Sequence, residues 1–225
     1  MKRLFARGIF IVLTLVMVGC GGKTTALEGK VVDGKEQPLD KVTVAAKMTQ
    51  PIKGYEHFET TTNSDGTFKF KKLFPTSEYQ LIFYSDRWKT EKRAKTESGL
   101  EGQTKILKNP MRIRFMDVKE DVVLDTKTNL MWAAKDSGVF FNWANAKSYC
   151  ENYRGGGFTD WRMPTMNEMV EIHKSNAPID ARGIIWSSDP KGSEFMAVAF
   201  SNGSVTSFSP SSTGWCWALP GRSGK

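Results

Sequence analysis

The sequence predicts two modules in series, an all-β sandwich followed by an α+β domain. Residues 27–114 break into short alternating runs separated by turn residues at regular spacing, the signature of a sandwich. Residues 117–221 begin instead with two helix signals and later reach an Asn-Gly hairpin. The composition, 40% hydrophobic and 25% charged over 225 residues, is ordinary globular composition and excludes disorder or a coiled coil as the main theme.

Residues 1–19 read as an address. Lys2, Arg3 and Arg7 precede an apolar run from Ile9 to Val18, about half the length a membrane-spanning helix needs. The run ends in Met17-Val18-Gly19-Cys20, which resembles the bacterial lipobox, with Met17 where that motif more often has Leu. The resemblance implies lipid attachment at Cys20, a membrane partner and a lipid-anchored place in the cell envelope. Gly21 rather than Asp after the cysteine points to the outer membrane. Residues 20–26 are then a short flexible tether. Without the three cations of residues 1–19 the formal charge falls from +8 to +5. The excess lies in residues 27–114, with 17 Lys/Arg against 12 Asp/Glu. An exported chain meets no nucleic acid, so that excess predicts a solvated basic face, with lipid phosphates or acidic glycans as the other candidate partners.

Within the first module the expected strands are Leu27 to Val32, a run through Val42, Val44 and Ala46, and Thr60 to Thr62. Phe68 with Phe70 and then Tyr79, Leu81 and Phe83 continue the alternation, and residues 104–115 close the unit. The segments Gly29-Lys30-Val31-Val32-Asp33, Pro38 to Val44 and Asp65-Gly66-Thr67-Phe68-Lys69-Phe70 resemble the carboxypeptidase regulatory-like, transthyretin-like sandwich. That resemblance implies a non-catalytic accessory module. Asp65-Gly66 reads as a hairpin turn, and a lone carboxylate offers too few oxygens for calcium.

In the second module, Val122–Leu124 and Leu130–Trp132 flank a turn at Asp125–Asn129. Asn142 is placed to cap a helix carrying Trp143, Ala146, Cys150 and Tyr153, stopped by Gly155–Gly157. Thr165 and Glu168 form a capping box for a second helix that ends at Asn176 and Pro178. Strands follow at Ile184–Ser187, Phe195–Phe200 and Ser204–Phe208, and Trp215–Leu219 is expected to close the sheet.

This half resembles the C-terminal domain of the Legionella collagen-like protein family. The matching segments are Asp125 to Trp132, Trp143-Ala144-Asn145-Ala146, Tyr149-Cys150, Asp160 to Thr165 and Trp186-Ser187-Ser188. The family is grouped with C-type-lectin-like folds, and its namesake is an adhesin that binds glycosaminoglycans, so the resemblance implies a binding or adhesion module. Two departures stand out: Asn129 replaces the usual Gly, and Trp215-Cys216-Trp217 replaces an arginine-flanked ending. A glycan, peptidoglycan or an envelope protein is therefore the expected partner.

Cys150 and Cys216 are the thiols left after lipidation, and an even pair in an oxidising compartment predicts one disulfide. The alternative is an enzyme of the formylglycine-generating type, which shares the broader fold and uses a cysteine pair. A third reading is a purely structural envelope component. Six of the seven tryptophans lie in this half, and the exposed ones are candidates to stack a sugar ring. Trp161, Arg162, Trp186 and Trp215 are the ligand-binding candidates. For Asp160-Trp161-Arg162 the helix start that follows favours internal ion pairs around a core indole instead.

No catalytic group is expected. Ser188-Asp189-Pro190-Lys191 fits Ser-x-x-Lys, but Pro190 and a strand setting spoil the helix start that chemistry needs. His57 and His173 fall in different modules, and the Gly155–Gly157 run lacks the Lys of a phosphate loop. The Glu-Pro-Asn and Gln-Pro-Asp motifs of calcium-dependent lectins are absent, so no metal or cofactor is expected.

Overall fold

The structure is a computed structural model that describes residues 23–224. The expected signal peptide and Cys20 lie outside the described residues.

The first module is built from β1 (Thr25–Asp33), β2 (Thr43–Met48), β3 (His57–Thr61), β4 (Thr67–Leu73) and β5 (Glu78–Ser85), followed by β6 (Trp88–Glu97), β7 (Thr104–Ile106) and β8 (Met111–Ile113). One sheet has the order β4-β1-β7, with β8 also on β1; the other runs β3-β2-β5-β6. Alternation aims Leu27, Val31, Phe68 and Phe70 of the first sheet at Val44, Ala46, Leu81 and Phe83 of the second, all buried in one core. Strand β1 pairs antiparallel with β4 but parallel with β7 and β8, at Glu28↔Ile106 and Val31↔Met111. Leu107 to Pro110 interrupts that edge, where a proline is tolerated.

The Asn63–Gly66 turn forms as expected. Gly66 sits at φ +76°, and a Cβ there would meet the Val31 carbonyl at 2.5 Å. The Asp65 carboxylate accepts from the Thr67 amide and hydroxyl at 3.0 and 2.7 Å, so it braces the turn. Strand β6 is absent from the sequence reading. Its charged sequence hides an edge strand whose inward positions, Lys92, Ala94 and Thr96, carry only one apolar residue.

The second module contains β9 (Phe115–Lys119), β10 (Val122–Asp125), β11 (Leu130–Ala133), α1 (Trp143–Asn152) and α2 (Met166–Lys174). After these come β12 (Ile184–Lys191), β13 (Glu194–Ala199), β14 (Val205–Phe208), β15 (Cys216–Trp217) and β16 (Gly221–Ser223). Its sheets are β16-β11-β10-β9 and β14-β13-β12-β15. The molecule is therefore β-rich with two α-helices among the described residues. Asn142 caps α1 through the Asn145 amide at 2.9 Å, and the Thr165/Glu168 capping box opens α2.

Three expectations need correction. Phe115 does not close the sandwich but opens β9, because it pairs with Asp125 across β10. Tyr153, not the glycine run, caps the end of α1; Gly155–Gly157 forms a separate single turn of 3-10 helix. The closing strand Trp215–Leu219 shrinks to β15, parallel to β12, while β16 completes the other sheet against β11.

The modules are clipped together. The Gly34 amide donates to the Thr126 hydroxyl at 2.8 Å, and that hydroxyl donates to the Arg114 carbonyl at 2.7 Å. A Cβ on Gly34 would meet the Lys127 nitrogen at 2.6 Å, so glycine is what lets the two turns touch. The Asp117 amide on β9 also donates to the Arg87 carbonyl at 2.7 Å.

Candidate functional site

Three part-buried arginine–carboxylate forks organise the second module among the described residues. Arg114 grips Asp125 at 2.8 and 2.7 Å, and the carboxylate also accepts from Thr128 and the Lys127 amide. Asn129 follows at φ +60°, a left-handed conformation that Asn adopts at low cost, which accounts for the departure from Gly. Arg162 grips Glu168 at 2.8 and 2.6 Å, and the same carboxylate caps α2 through the Thr165 amide at 2.8 Å. Arg222 on β16, buried, grips Asp160 at 2.7 and 3.0 Å and lies 4.0 Å over the Phe158 ring.

The ligand-binding candidates separate cleanly. Arg162 spends its fork on Glu168 and is committed to the scaffold. Trp161 is buried, with its Nε1 donating to the Gly155 carbonyl at 3.2 Å. Trp186 is also buried, with Nε1 donating to the Phe141 carbonyl at 2.8 Å. Neither indole can stack on a ligand, because its faces and its one donor are already used. Trp132 is buried as well, whereas Trp143 and Trp217 are half-buried. Trp215 is 65% exposed.

Burial alone would push the Asp125 carboxyl up, but Arg114, Thr128 and the Lys127 amide together hold it below the usual carboxylate value. Glu168 is likewise lowered: burial opposes, and Arg162 and the Thr165 contacts win. A depressed native carboxyl contributes stability that is complete above the unfolded value, near pH 4, and is lost as pH falls through the native one. Thermal midpoints should therefore be flat above about pH 5 and decline below about pH 4. Asp125→Asn should flatten part of that acid limb in a pH series of melting curves.

Cys150 on α1 and Cys216 on β15 lie in one apolar cluster with Trp186, Met163 and Ala218. Both are free thiols in the structure, and burial pushes each up to about 12. Thiolate formation is thus suppressed at both, the opposite of what a nucleophilic cysteine needs. Iodoacetamide at pH 8 should leave both unlabelled in the native protein. In guanidinium without reductant, labelling of both reports free thiols, and labelling only after reduction reports a bridge.

Trp215 belongs to an exposed apolar ledge. The loop leading into α1 runs beside β15: the Phe141 amide donates to the Cys216 carbonyl at 2.9 Å and the Ser137 amide to the Ala218 carbonyl at 2.8 Å. Val139 and Phe140, 53% and 49% exposed, are thereby carried next to the Trp215–Trp217 segment. The Phe140 and Trp217 rings lie 4.4 Å apart, tilted by 44°. Trp217 packs flat on Gly183, where a Cβ would come within 1.6 Å of the indole. Polar groups stand in the flanking segments. Arg182 pairs with Asp180 at 2.7 Å, holding that carboxyl below its usual range, and the Arg182 amide donates to Asp136 at 3.1 Å. The sequence singles out Trp215 but misses Val139 and Phe140. The apolar run after Gly138 was their signal, a loop with no period to place it in a core.

Known proteins supply one likeness in sequence. Residues 121–219 match the Lcl C-terminal domain family. The match spans β10 through β15, includes the ledge and leaves the sandwich outside. No curated protein matches the chain. Among solved structures, 3-chlorocatechol 1,2-dioxygenase from Rhodococcus opacus 1CP is 13% identical over 33% of this chain and 43% of its own length, with a TM-score of 0.26. Catechol 1,2-dioxygenase from Acinetobacter sp. ADP1 is 9% identical over 36% and 38%, with a TM-score of 0.27. The dioxygenase domain of a dioxygenase–carbohydrate-binding protein fusion from Streptomyces sp. SirexAA-E is 16% identical over 36% and 59%, with a TM-score of 0.26. The chain spans less than two thirds of each of these, and the overlap carries no argument about activity.

Proposed function

We propose that this chain is a non-catalytic cell-envelope lipoprotein whose second module, of C-type-lectin-like arrangement, binds glycan on the aromatic ledge. The observation that carries the reading is an exposed tryptophan, Trp215, two residues before the Trp217 of the Phe140–Trp217 ring pair, in a segment flanked by carboxylates and an arginine. Flat aromatic faces stack on the apolar faces of sugar rings, and neighbouring charged groups take the hydroxyls. The sandwich, a carboxypeptidase regulatory-like unit on this reading, sits between the tether and the ledge and holds the binding face off the membrane. The lipobox resemblance and the family match at residues 121–219 support the same reading.

A glycan array probed with the purified chain tests it. Acidic or neutral glycans should bind, and Trp215→Ala should weaken binding about thirtyfold, a loss of ~2 kcal/mol, as for a contact that dominates an interface. Its melting temperature should not change. Silence across the array, or full binding by Trp215→Ala, overturns the proposal. The anchor is tested separately by palmitate incorporation, which should occur in the natural chain and vanish in Cys20→Ser.

A further inference from the structure

The ledge belongs to a stretch of chain from which charge is missing. Phe195 through Gly221, 27 consecutive residues, contains no Asp, Glu, Lys, Arg or His, although the whole chain is 25% charged. A stretch of that length at ordinary composition would carry about seven charges. Burial does not account for the gap. Ser209, Ser211, Thr213 and Trp215 are all exposed, so this surface meets solvent through hydroxyls and a ring.

The hydroxyl-bearing loop is fixed beside the rings. At one end the Trp143 amide donates to the Pro210 carbonyl at 3.1 Å, and at the other the Phe141 amide donates to the Cys216 carbonyl at 2.9 Å. Both anchors come from the segment that carries Val139 and Phe140. Within the loop the Ser209 and Ser211 hydroxyls lie 2.9 Å apart, and the Ser212 amide donates to the Ser209 carbonyl at 2.9 Å. Each hydroxyl can both donate and accept, which suits a partner that also carries hydroxyls.

Charge in the flanking segments is already balanced. Arg182 forks Asp180 at 2.7 and 3.1 Å, and Lys135 acts on the same carboxyl. Asp136 accepts from the Gly138 and Arg182 amides at 2.9 and 3.1 Å. These two cations and two carboxylates sum to zero. A sulfate or uronate brought onto the ledge would lose water without gaining an uncommitted cation, and would approach two carboxylates. An uncharged sugar meets neither cost: its C–H face covers the Trp215 ring and its hydroxyls meet those of the loop.

We infer that the ledge selects uncharged sugars and rejects sulfated or uronic-acid chains. The inference rests on the glycan reading of the ledge and narrows its ligand.

The purified chain is titrated calorimetrically with cellohexaose, chitohexaose and mannohexaose, and in parallel with hexasaccharides of heparin and of chondroitin sulfate. At least one neutral sugar should bind, with an affinity that changes less than about twofold between ~50 and ~500 mM NaCl. Trp215→Ala should remove that binding. It should leave unchanged any sulfated-sugar binding, which would then lie elsewhere on the chain. Ser211→Lys/Thr213→Lys alters exposed side chains and should keep the neutral-sugar affinity within about threefold. It should also add Trp215-dependent heparin binding that weakens about tenfold at the higher salt. Sulfated-sugar binding by the natural chain that Trp215→Ala abolishes overturns the selectivity and leaves the glycan reading standing. A lysine pair that confers no heparin binding overturns it as well. Silence from all five sugars removes the glycan reading itself and this inference with it.

Discussion

Trp186→Ala will cost about 3–5 kcal/mol, the range expected for truncating a large buried aromatic, and is the most damaging single core substitution we predict in the second module. The indole sits on β12 with no exposed surface, between α1 and the strand that carries Cys216. Its edge meets the Phe208 ring at 5.9 Å, and its Nε1 satisfies the Phe141 carbonyl. Alanine leaves a cavity and removes the hydrogen bond that ties the ledge loop to the sheet. Against a typical total stability of about 5–15 kcal/mol, that is a large share. Urea unfolding of Trp186→Ala beside Trp215→Ala makes the comparison direct. Trp215 is mostly exposed, so its truncation should stay within about 0.5 kcal/mol. Equal losses from the two would contradict the burial pattern.

Asp160→Ala is the second large effect, expected at about 3 kcal/mol. Arg222 is 2% exposed, packed on Phe158 and against the Met131 sulfur, and Asp160, itself 45% exposed, is the one carboxylate its fork meets among the described residues. Removing the carboxylate strands a buried guanidinium, which costs far more than the pair itself contributes. Asp160→Ala/Arg222→Met should therefore be more stable than Asp160→Ala alone, because the uncompensated charge is gone. Arg162→Ala should cost less than Asp160→Ala, since the Glu168 it leaves behind is 22% exposed and keeps its Thr165 contacts, whereas Asp160→Ala leaves Arg222 only 2% exposed. A double-variant cycle in urea measures all four terms. Additivity of Asp160→Ala and Arg222→Met would refute a coupled pair.

What the sequence disclosed follows from which interactions are local. The Asn142 cap, the Thr165–Glu168 capping box, the Asp65-Gly66 turn and the Asn202-Gly203 turn with its glycine at φ +74° are all encoded within a few residues. They were legible for that reason. The strand β6 was not, because its inward face is nearly as polar as its outward face. Nor was β16, three residues whose place is fixed by β11, about ninety positions earlier. The fork between Asp160 and Arg222 spans 62 positions and has no local sign. The tryptophans show the same limit. All six in the second half look alike as letters, and only tertiary packing decides that Trp161 and Trp186 are walls while Trp215 is surface. The ledge is half legible: Trp215 stands out by residue type, but its neighbours arrive from a loop some 75 positions away.

Strand β6 has a consequence for crowding. A free strand ten residues long exposes unpaired backbone groups onto which the sheet of an adjacent copy could grow. Here Lys89, Lys92, Arg93 and Lys95 outnumber Glu91 and Glu97 along the strand, so two copies brought edge to edge would meet with the same net charge before any backbone bond could form. Chains concentrated at high surface density would stay individually dispersed instead of knitting into fibrils.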